Sequence, residues 1–86
     1  MLLMGIDTWE PGQRDEIFKR LMEKGPMLPD GVKILGQWAD VSGCRTFTLC
    51  ETDDAKALAQ WGLGWSDLIK GEIAIVMDVE EATKLL

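Results

Sequence analysis

Apolar and polar positions alternate along residues 2–9 with the period of two that is typical of a β-strand. One face of this strand would carry Leu2, Met4, Ile6 and Thr8, and the other would carry Leu3, Gly5, Asp7 and Trp9. Glu10-Pro11-Gly12 ends the alternation, and Pro11 suits the first position of a helix. The helix is predicted to reach about Lys24, with a buried stripe formed by Ile17, Phe18, Leu21 and Met22.

A second strand, a hairpin loop and a third strand are predicted in the middle of the chain. Residues 32–39 alternate with Val32, Ile34, Gly36 and Trp38 on one face and Lys33, Leu35, Gln37 and Ala39 on the other. Residues 40–43, with the sequence Asp-Val-Ser-Gly, have the composition of a short hairpin loop. The third strand covers about residues 45–51 and opposes Phe47 and Leu49 to Thr46, Thr48 and Cys50.

A second helix begins after Thr52 or Asp53, since either side chain can cap the free N–H groups of a first turn. Helical spacing is carried by Leu58, Trp61, Trp65, Leu68 and Ile69. Gly62 and Gly64 are unfavourable inside a helix, which indicates either close packing or a break before Trp65. After Gly71 the pattern predicts a fourth strand over about residues 72–77, and a short terminal helix follows it from Asp78.

The predicted elements follow the order β-α-β-β-α-β, which is the ferredoxin-like arrangement. We therefore predict one α+β domain over residues 1–86, a sandwich of a four-stranded, mainly antiparallel sheet with two helices on one face and a short C-terminal helix. The second face of that sheet has few polar positions, of which Thr46, Thr48 and Asp7 are the clearest. Because a solvated face should be largely polar, we expect a homodimer that stacks two such faces and could close a barrel around a small interior.

The charge of the chain excludes several classes of partner. Fifteen acidic and nine scattered basic residues give a net charge of −6, which opposes binding to nucleic acid or to an anionic membrane surface. No apolar run approaches the roughly 20 residues that cross a bilayer, and the first residues lack the features of a secretory signal. A cytoplasmic location is therefore expected.

The types of reactive side chain limit the possible chemistry. Histidine is absent, which removes the commonest general base and metal ligand, and no cysteine pair has zinc-ligand spacing. We therefore predict no metal, no cofactor and no assignable catalytic residue. Cys44 and Cys50 would lie at opposite ends of one strand, roughly 20 Å apart, so a disulfide between them is not expected.

Several segments resemble a family of short prokaryotic proteins of unknown function, the DUF3303 type. The resemblance covers nearly the whole chain and is carried by residues 1–4, 23–25, 27–31, Trp38, 44–54 and the segment Trp61-x-x-x-Trp65-Ser66-Asp67-Leu68. The chain differs from the family pattern at Pro26 and at residues 62–64, where arginine is expected. The resemblance implies a ferredoxin-like fold of the dimeric α–β barrel type, and it implies no established activity or catalytic residue.

Four residues are candidates for a ligand site: Asp7, Trp9, Trp38 and Glu51. Trp9 and Trp38 fall near strand ends, where indoles often border pockets or interfaces. Asp7 would be a partly buried carboxylate if its face formed the dimer interior, while Glu51 and the acids after it could equally be a charged helix N-terminus.

Three functions remain open from the sequence. The first is a homodimer that binds a small hydrophobic or amphiphilic molecule at or beside the sheet-to-sheet interior. The second is a cofactor-independent isomerase or monooxygenase with Asp7 as its base, by analogy with other dimeric α–β barrels. The third is a structural interaction module in which every tryptophan is used in packing.

Overall fold

The computed structural model describes all residues from 1 to 86. Its elements are β1 (Leu2–Thr8), α1 (Arg14–Lys24), β2 (Lys33–Ala39), β3 (Arg45–Glu51), α2 (Ala55–Leu63), β4 (Lys70–Ile75) and α3 (Val79–Thr83). A single 3-10 turn, Pro11–Gln13, leads into α1. The side chain of Asp54 accepts a hydrogen bond from the N–H group of Ala57 and so caps α2.

The four strands form one sheet in the order β2-β3-β1-β4, and every neighbouring pair is antiparallel. Helix α1 connects β1 to β2, and helix α2 connects β3 to β4. In both cases the two connected strands run in the same direction and have a third strand between them. Two such units interleave, so β1 and β3 occupy the centre of the sheet. This topology confirms the predicted ferredoxin-like α+β fold.

Strand register assigns every side chain of the sheet to one of two faces. We call helix face the side that carries Leu3, Gly5, Asp7, Thr46, Thr48 and Cys50, together with their partners on β2 and β4. We call open face the opposite side, which carries Leu2, Met4, Ile6, Thr8, Phe47 and Leu49. The names describe packing: the buried side chains of the sheet, Leu3, Thr48 and Cys50, all lie on the helix face.

The core lies between the helix face and α2. Leu3, Val32, Cys50 and Ala57 form one buried cluster, against which Leu58 and Trp61 pack. Both cysteines are unpaired, as expected: Cys50 is buried within this cluster, and Cys44 is partly exposed. Thr48, expected to lie on the wet second face, is instead buried on the helix face at 4% exposure.

A β-bulge changes the faces predicted for β2. Ile34 pairs with Cys50 and Gly36 pairs with Leu49, so Leu35 is an additional residue in the strand. After the bulge the alternation is shifted by one position. Ile34 therefore lies on the helix face and Trp38 on the open face, whereas the uninterrupted pattern predicted the same face for both.

Other predicted boundaries and stripes also differ in detail. Only Ile17 of the predicted α1 stripe is buried. The other three members of the stripe, Phe18, Leu21 and Met22, are exposed, and Met22 most of all, at 85%. Helix α2 ends at Leu63, which confirms the predicted break before Trp65. Strand β4 begins two residues earlier than expected, at Lys70.

Leu2 and Leu3 provide a matched test of the two faces. Leu3→Ala should lower the free energy of unfolding by about 2 to 4 kcal/mol, because the substitution leaves a cavity in the buried cluster. Leu2→Ala, one residue away on the open face, should have a clearly smaller effect on a dilute sample. Urea unfolding followed by circular dichroism measures both changes, and equal losses would contradict the assignment of the faces.

Candidate functional site

The open face is a largely apolar surface that no helix covers. Its centre consists of Leu2, Met4, Ile6, Leu35, Trp38, Phe47 and Leu49. The side chains of this group on β1 and β3 are half-buried, and Trp38 is 54% exposed. The second sheet face is therefore apolar in its centre, on β1, β2 and β3, whereas its ends and the edge strand β4 carry charged residues: Lys33, Arg45, Glu51, Lys70 and Glu72. The polar positions expected on this face, Thr46, Thr48 and Asp7, all lie on the helix face.

Trp38 lies flat against its own strand. A Cβ atom added to Gly36 would be only 2.7 Å from the indole ring, so the absence of a side chain at Gly36 makes room for it. On the neighbouring strand, the guanidinium group of Arg45 lies 5.1 Å from the centre of the Phe47 ring. Two aromatic rings thus form a platform on this half of the open face, since Trp38 and Phe47 are register partners.

Charged residues border the open face at its two ends. Lys33 pairs with Glu51 across β2 and β3 at one end. At the other end Arg45 forms an ion pair of 2.8 Å with Asp40. The apolar centre is consequently framed by residues that carry both signs of charge, which is the usual anatomy of an interface.

The four candidate residues are not brought together. Trp38 and Glu51 share the open face but lie near opposite ends of it, because Glu51 pairs with Leu2 while Trp38 pairs with Phe47. Asp7 lies on the helix face, and Trp9 follows the end of β1 and borders two surface clefts. Of the four candidates, only Trp9 borders either of these clefts.

Asp7 is a half-buried carboxylate without a charged partner. It lies between Thr46 and Gly71 in the sheet, and a Cβ atom on Gly71 would be 3.2 Å from its Oδ1. Burial raises the pKa of Asp7 above its ordinary value, because no hydrogen bond or cation offsets the loss of water. The condition under which Asp7 would enter a sheet-to-sheet interior is not met by a dimer of the open faces, since Asp7 lies on the face that the helices cover.

The two clefts lie at the end of the sheet where β1 ends. The larger, of about 410 Å³, is bordered by Trp9, Glu10 and the segment from Ser66 to Lys70. The smaller, of about 370 Å³, lies between the start of α1 and the hairpin that joins β2 to β3. Sequence reasoning did not find either cleft, because their walls come from residues that are distant along the chain.

The tryptophans of the Trp-x-x-x-Trp-Ser-Asp-Leu segment have a structural role. The indole N–H groups of Trp61 and Trp65 both donate to the carbonyl oxygen of Pro26, at 2.9 and 3.1 Å. Both side chains are half-buried. Pro26 is one of the positions at which the chain differs from the family pattern, and its backbone carbonyl accepts the hydrogen bonds of both indoles.

Arg20 joins α1 to the segment that follows α2. Its two terminal nitrogens donate to the carboxylate oxygens of Asp67 at 2.7 and 2.6 Å, and one of them also reaches the carbonyl of Gly64 at 3.0 Å. The same guanidinium group lies 5.6 Å from the Trp65 ring. Sequence patterns could not have identified this contact, because its partners are 47 residues apart.

No three His, Cys, Asp or Glu side chains lie close enough together to hold a metal ion. None of the helices combines the length and the apolar character that a bilayer span requires.

Comparison with known proteins identifies one family and a shared fold. The family described as "Domain of unknown function (DUF3303)" matches residues 1–86, as the sequence segments indicated. A search among curated proteins finds no match. Three solved chains are similar in structure.

Two of these solved structures illustrate the likeness. An uncharacterized NIPSNAP domain protein from Burkholderia xenovorans aligns with a TM-score of 0.51 and 13% identity, over 90% of this chain and 95% of that one. A protein from Deinococcus radiodurans, provisionally described as an antibiotic biosynthesis monooxygenase, aligns with a TM-score of 0.49 and 14% identity, over 91% and 94% of the two chains. At these identities the likeness concerns the fold alone.

The raised pKa of Asp7 predicts a specific pH dependence of stability. The pKa of Asp7 is higher in the folded state than in the unfolded state. The contribution of protonated Asp7 to the free energy of unfolding is therefore complete at pH values below the unfolded pKa, and it is lost as the pH rises through the folded pKa. Asp7→Asn should therefore stabilise the protein at neutral pH and have little effect below the ordinary aspartate pKa. Thermal unfolding at both pH values measures this, with Glu23→Gln, an exposed residue on α1, as the control. A neutral-pH loss of stability would contradict the prediction.

The Arg20–Asp67 pair predicts the opposite pH dependence. Hydrogen bonds from Arg20 lower the pKa of Asp67 in the folded state. The contribution of ionised Asp67 to the free energy of unfolding is therefore present above the unfolded pKa, and it is lost as the pH falls through the folded pKa. Asp67→Asn should lower the urea midpoint at neutral pH, and the difference from the unsubstituted protein should shrink in acid. Glu23→Gln removes one carboxylate without an ion pair and should leave the midpoint unchanged. A pH-independent effect of Asp67→Asn would exclude the ion pair as its cause.

Proposed function

The chain belongs to the family described as domain of unknown function (DUF3303), and we propose that it forms a homodimer whose two open faces enclose a binding site for a small hydrophobic or amphiphilic molecule. The observation that carries the proposal is the apolar centre of the open face, which no part of the same chain covers. Four strands of six to seven residues give the whole sheet face roughly 400 Å² in projection, and the apolar centre is the part of this area that lies inside the charged positions. Contiguous apolar patches on monomers are often functional surfaces.

A second copy of the chain is the partner that this surface fits best. Symmetric pairing brings the same patch from both copies together, and it is the commonest form of association among soluble proteins. Lys33 and Glu51 lie side by side at one border and Arg45 and Asp40 at another, so each copy presents both signs of charge around an apolar centre. Such a surface can be complementary to itself.

The aromatic platform favours a ligand within the interface. Two twisted sheets that stack face to face leave space where large and small side chains alternate. Trp38 and Phe47 would line that space with ring faces, and small-molecule sites are mostly apolar with a few polar groups. The indole of Trp38 packs over Gly36, and its N–H group forms no hydrogen bond within the chain. The ring can therefore move away from its strand without breaking a hydrogen bond.

A second candidate function rests on Asp7. A partly buried carboxylate with a raised pKa and no charged partner has the properties of a general base. It lies on the helix face, so a reaction there would use space within one protomer and would not use the dimer interior. We rank this function second because neither cleft is bordered by Asp7.

A pair of methionine substitutions tests the dimer. Met4→Lys places a charge in the centre of the open face and should convert the dimer into a monomer, because two unpaired ammonium groups would be buried at the interface. Met22→Lys makes the same chemical change on α1, where the side chain is 85% exposed, and should leave the dimer intact. Analytical ultracentrifugation at micromolar concentration measures both, and circular dichroism verifies the fold. A monomeric unsubstituted protein would overturn the proposed dimer.

The ligand site is tested on the same variants. A hydrophobic dye such as anilinonaphthalene sulfonate should bind the dimer saturably and shift the indole signal of Trp38 in a ¹H–¹⁵N spectrum. Met22→Lys should bind in the same way, and Met4→Lys should lose the saturable phase. A stable dimer in which no dye or metabolite shifts the Trp38 signal would indicate a dry interface, and the chain would then be a structural module.

A further inference from the structure

The smaller cleft, of about 370 Å³, is bordered by two aromatic rings and by an arginine at the start of α1. Trp9 and Phe18 border it with aromatic rings, and Arg14 borders it with a guanidinium group. Phe18 is 53% exposed although it belongs to the apolar stripe of α1, so it is available to a molecule that enters the cleft. The volume falls within the range of about 300 to 1,000 Å³ that is usual for small-molecule sites.

The charge balance of this cleft differs from that of the chain. Its charged residues are Arg14, Asp40 and Arg45. Asp40 accepts hydrogen bonds from Ser42 and from Arg45, which lower its pKa to about 2, so this carboxylate is ionised and already neutralised. Arg14 is the remaining cation, in a protein of net charge −6.

Arg14 is only weakly engaged by the protein. Its single ion pair joins Nε to the carboxylate of the adjacent Asp15 at 3.3 Å, and both side chains are largely exposed. The two terminal nitrogens of the guanidinium group have no acceptor in the chain. They remain free to form the paired hydrogen bonds with which arginine binds a carboxylate.

The opposite wall of the cleft is held in position. The N–H group of Trp9 donates to the carbonyl oxygen of Cys44 at 3.1 Å and so fastens the end of β1 to the hairpin. Cys44 has a φ of 60°, a left-handed conformation that is unfavourable for residues other than glycine and is maintained here by its surroundings. The aromatic ring of Trp9 therefore projects from a fixed backbone, which reduces the ordering that binding would require.

We propose that this cleft binds a small aromatic carboxylate, with the ring between Trp9 and Phe18 and the carboxylate on the guanidinium group of Arg14. The larger cleft is a poorer site for such a ligand, since its charged residues, Glu10, Asp67 and Lys70, include two carboxylates and one ammonium group. The proposal does not depend on the dimer, because every wall of the cleft belongs to one protomer.

Two ligands of equal shape and different charge test the proposal. ¹⁵N-labelled protein is titrated with 2-naphthoate and, separately, with the neutral 2-naphthalenemethanol. The indole signals of Trp9 and Trp38, assigned from the Trp9→Phe and Trp38→Phe variants, report on the cleft and on the open face respectively. We expect naphthoate to shift the Trp9 signal saturably and to bind more tightly than the alcohol.

Arg14→Gln and Lys19→Gln provide the matched variants. Each removes one positive charge from an exposed side of α1, but only Arg14 borders the cleft. Arg14→Gln should weaken naphthoate binding about tenfold, as expected for the loss of a charge-assisted hydrogen bond, and should leave binding of the alcohol unchanged. Lys19→Gln should change neither affinity.

Several outcomes would overturn the inference and leave the proposed dimer unaffected. One is equal naphthoate affinity of the Arg14→Gln and Lys19→Gln variants. Another is a titration in which the Trp38 signal shifts and the Trp9 signal does not, which would place the ligand on the open face. The absence of a saturable Trp9 shift up to the solubility of naphthoate would also exclude the site.

Discussion

A four-stranded sheet has two faces, and a chain of 86 residues provides helices for one of them. Leu3 and Cys50 are buried on the helix face, while their neighbours Leu2 and Leu49 point the other way and are equally apolar. Because apolar surface of this extent is costly in water, the uncovered face is the feature on which association and ligand binding depend. The rest of the molecule determines how that face is shaped and held.

The helix layer is aligned by polar contacts as well as by packing. Arg20 links α1 to Asp67, and the carbonyl of Pro26 holds the indoles of Trp61 and Trp65. These contacts give Trp61, Trp65 and Asp67, three residues of the Trp-x-x-x-Trp-Ser-Asp-Leu segment, a structural role. They also explain why the short helix α2, which ends at Leu63, still lies in a fixed position over the sheet.

The proposed sites are separated by the sheet itself. The aromatic platform of Trp38 and Phe47 lies on the open face, whereas Asp7 lies on the helix face, and the cleft bordered by Arg14 lies at the end of the sheet. The dimer interior and the cleft share one side chain, Arg45, which lies over the Phe47 ring and also borders the cleft; Trp38 and Phe47 belong to the open face alone, and Trp9, Arg14 and Phe18 border the cleft and do not lie on that face. This separation allows the two proposals to be examined independently.

The sequence by itself determined the order of the elements, the ferredoxin-like topology and the presence of apolar residues on both faces of β1. These properties follow from local periodicity: the alternation in β1 and β3 predicts which residues share a face. The end of α2 at Leu63, between two glycines, is local as well, and so is the cap of this helix, although Asp54 takes the role for which Thr52 or Asp53 was predicted. Such features require only neighbours along the chain.

Only the tertiary structure decided which face the helices cover and which residues meet. A one-residue bulge at Leu35 moved Trp38 to the open face. Gly36, which follows Leu35, is consistent with a bulge but does not by itself give the register shift. The face that Asp7 shares with Leu3 could have been either the helix side or a shared interior, and it is the helix side; periodicity separates two faces without telling them apart. The clefts and the contact between Arg20 and Asp67 join distant segments, and their geometry exists only once the sheet and both helices are in place.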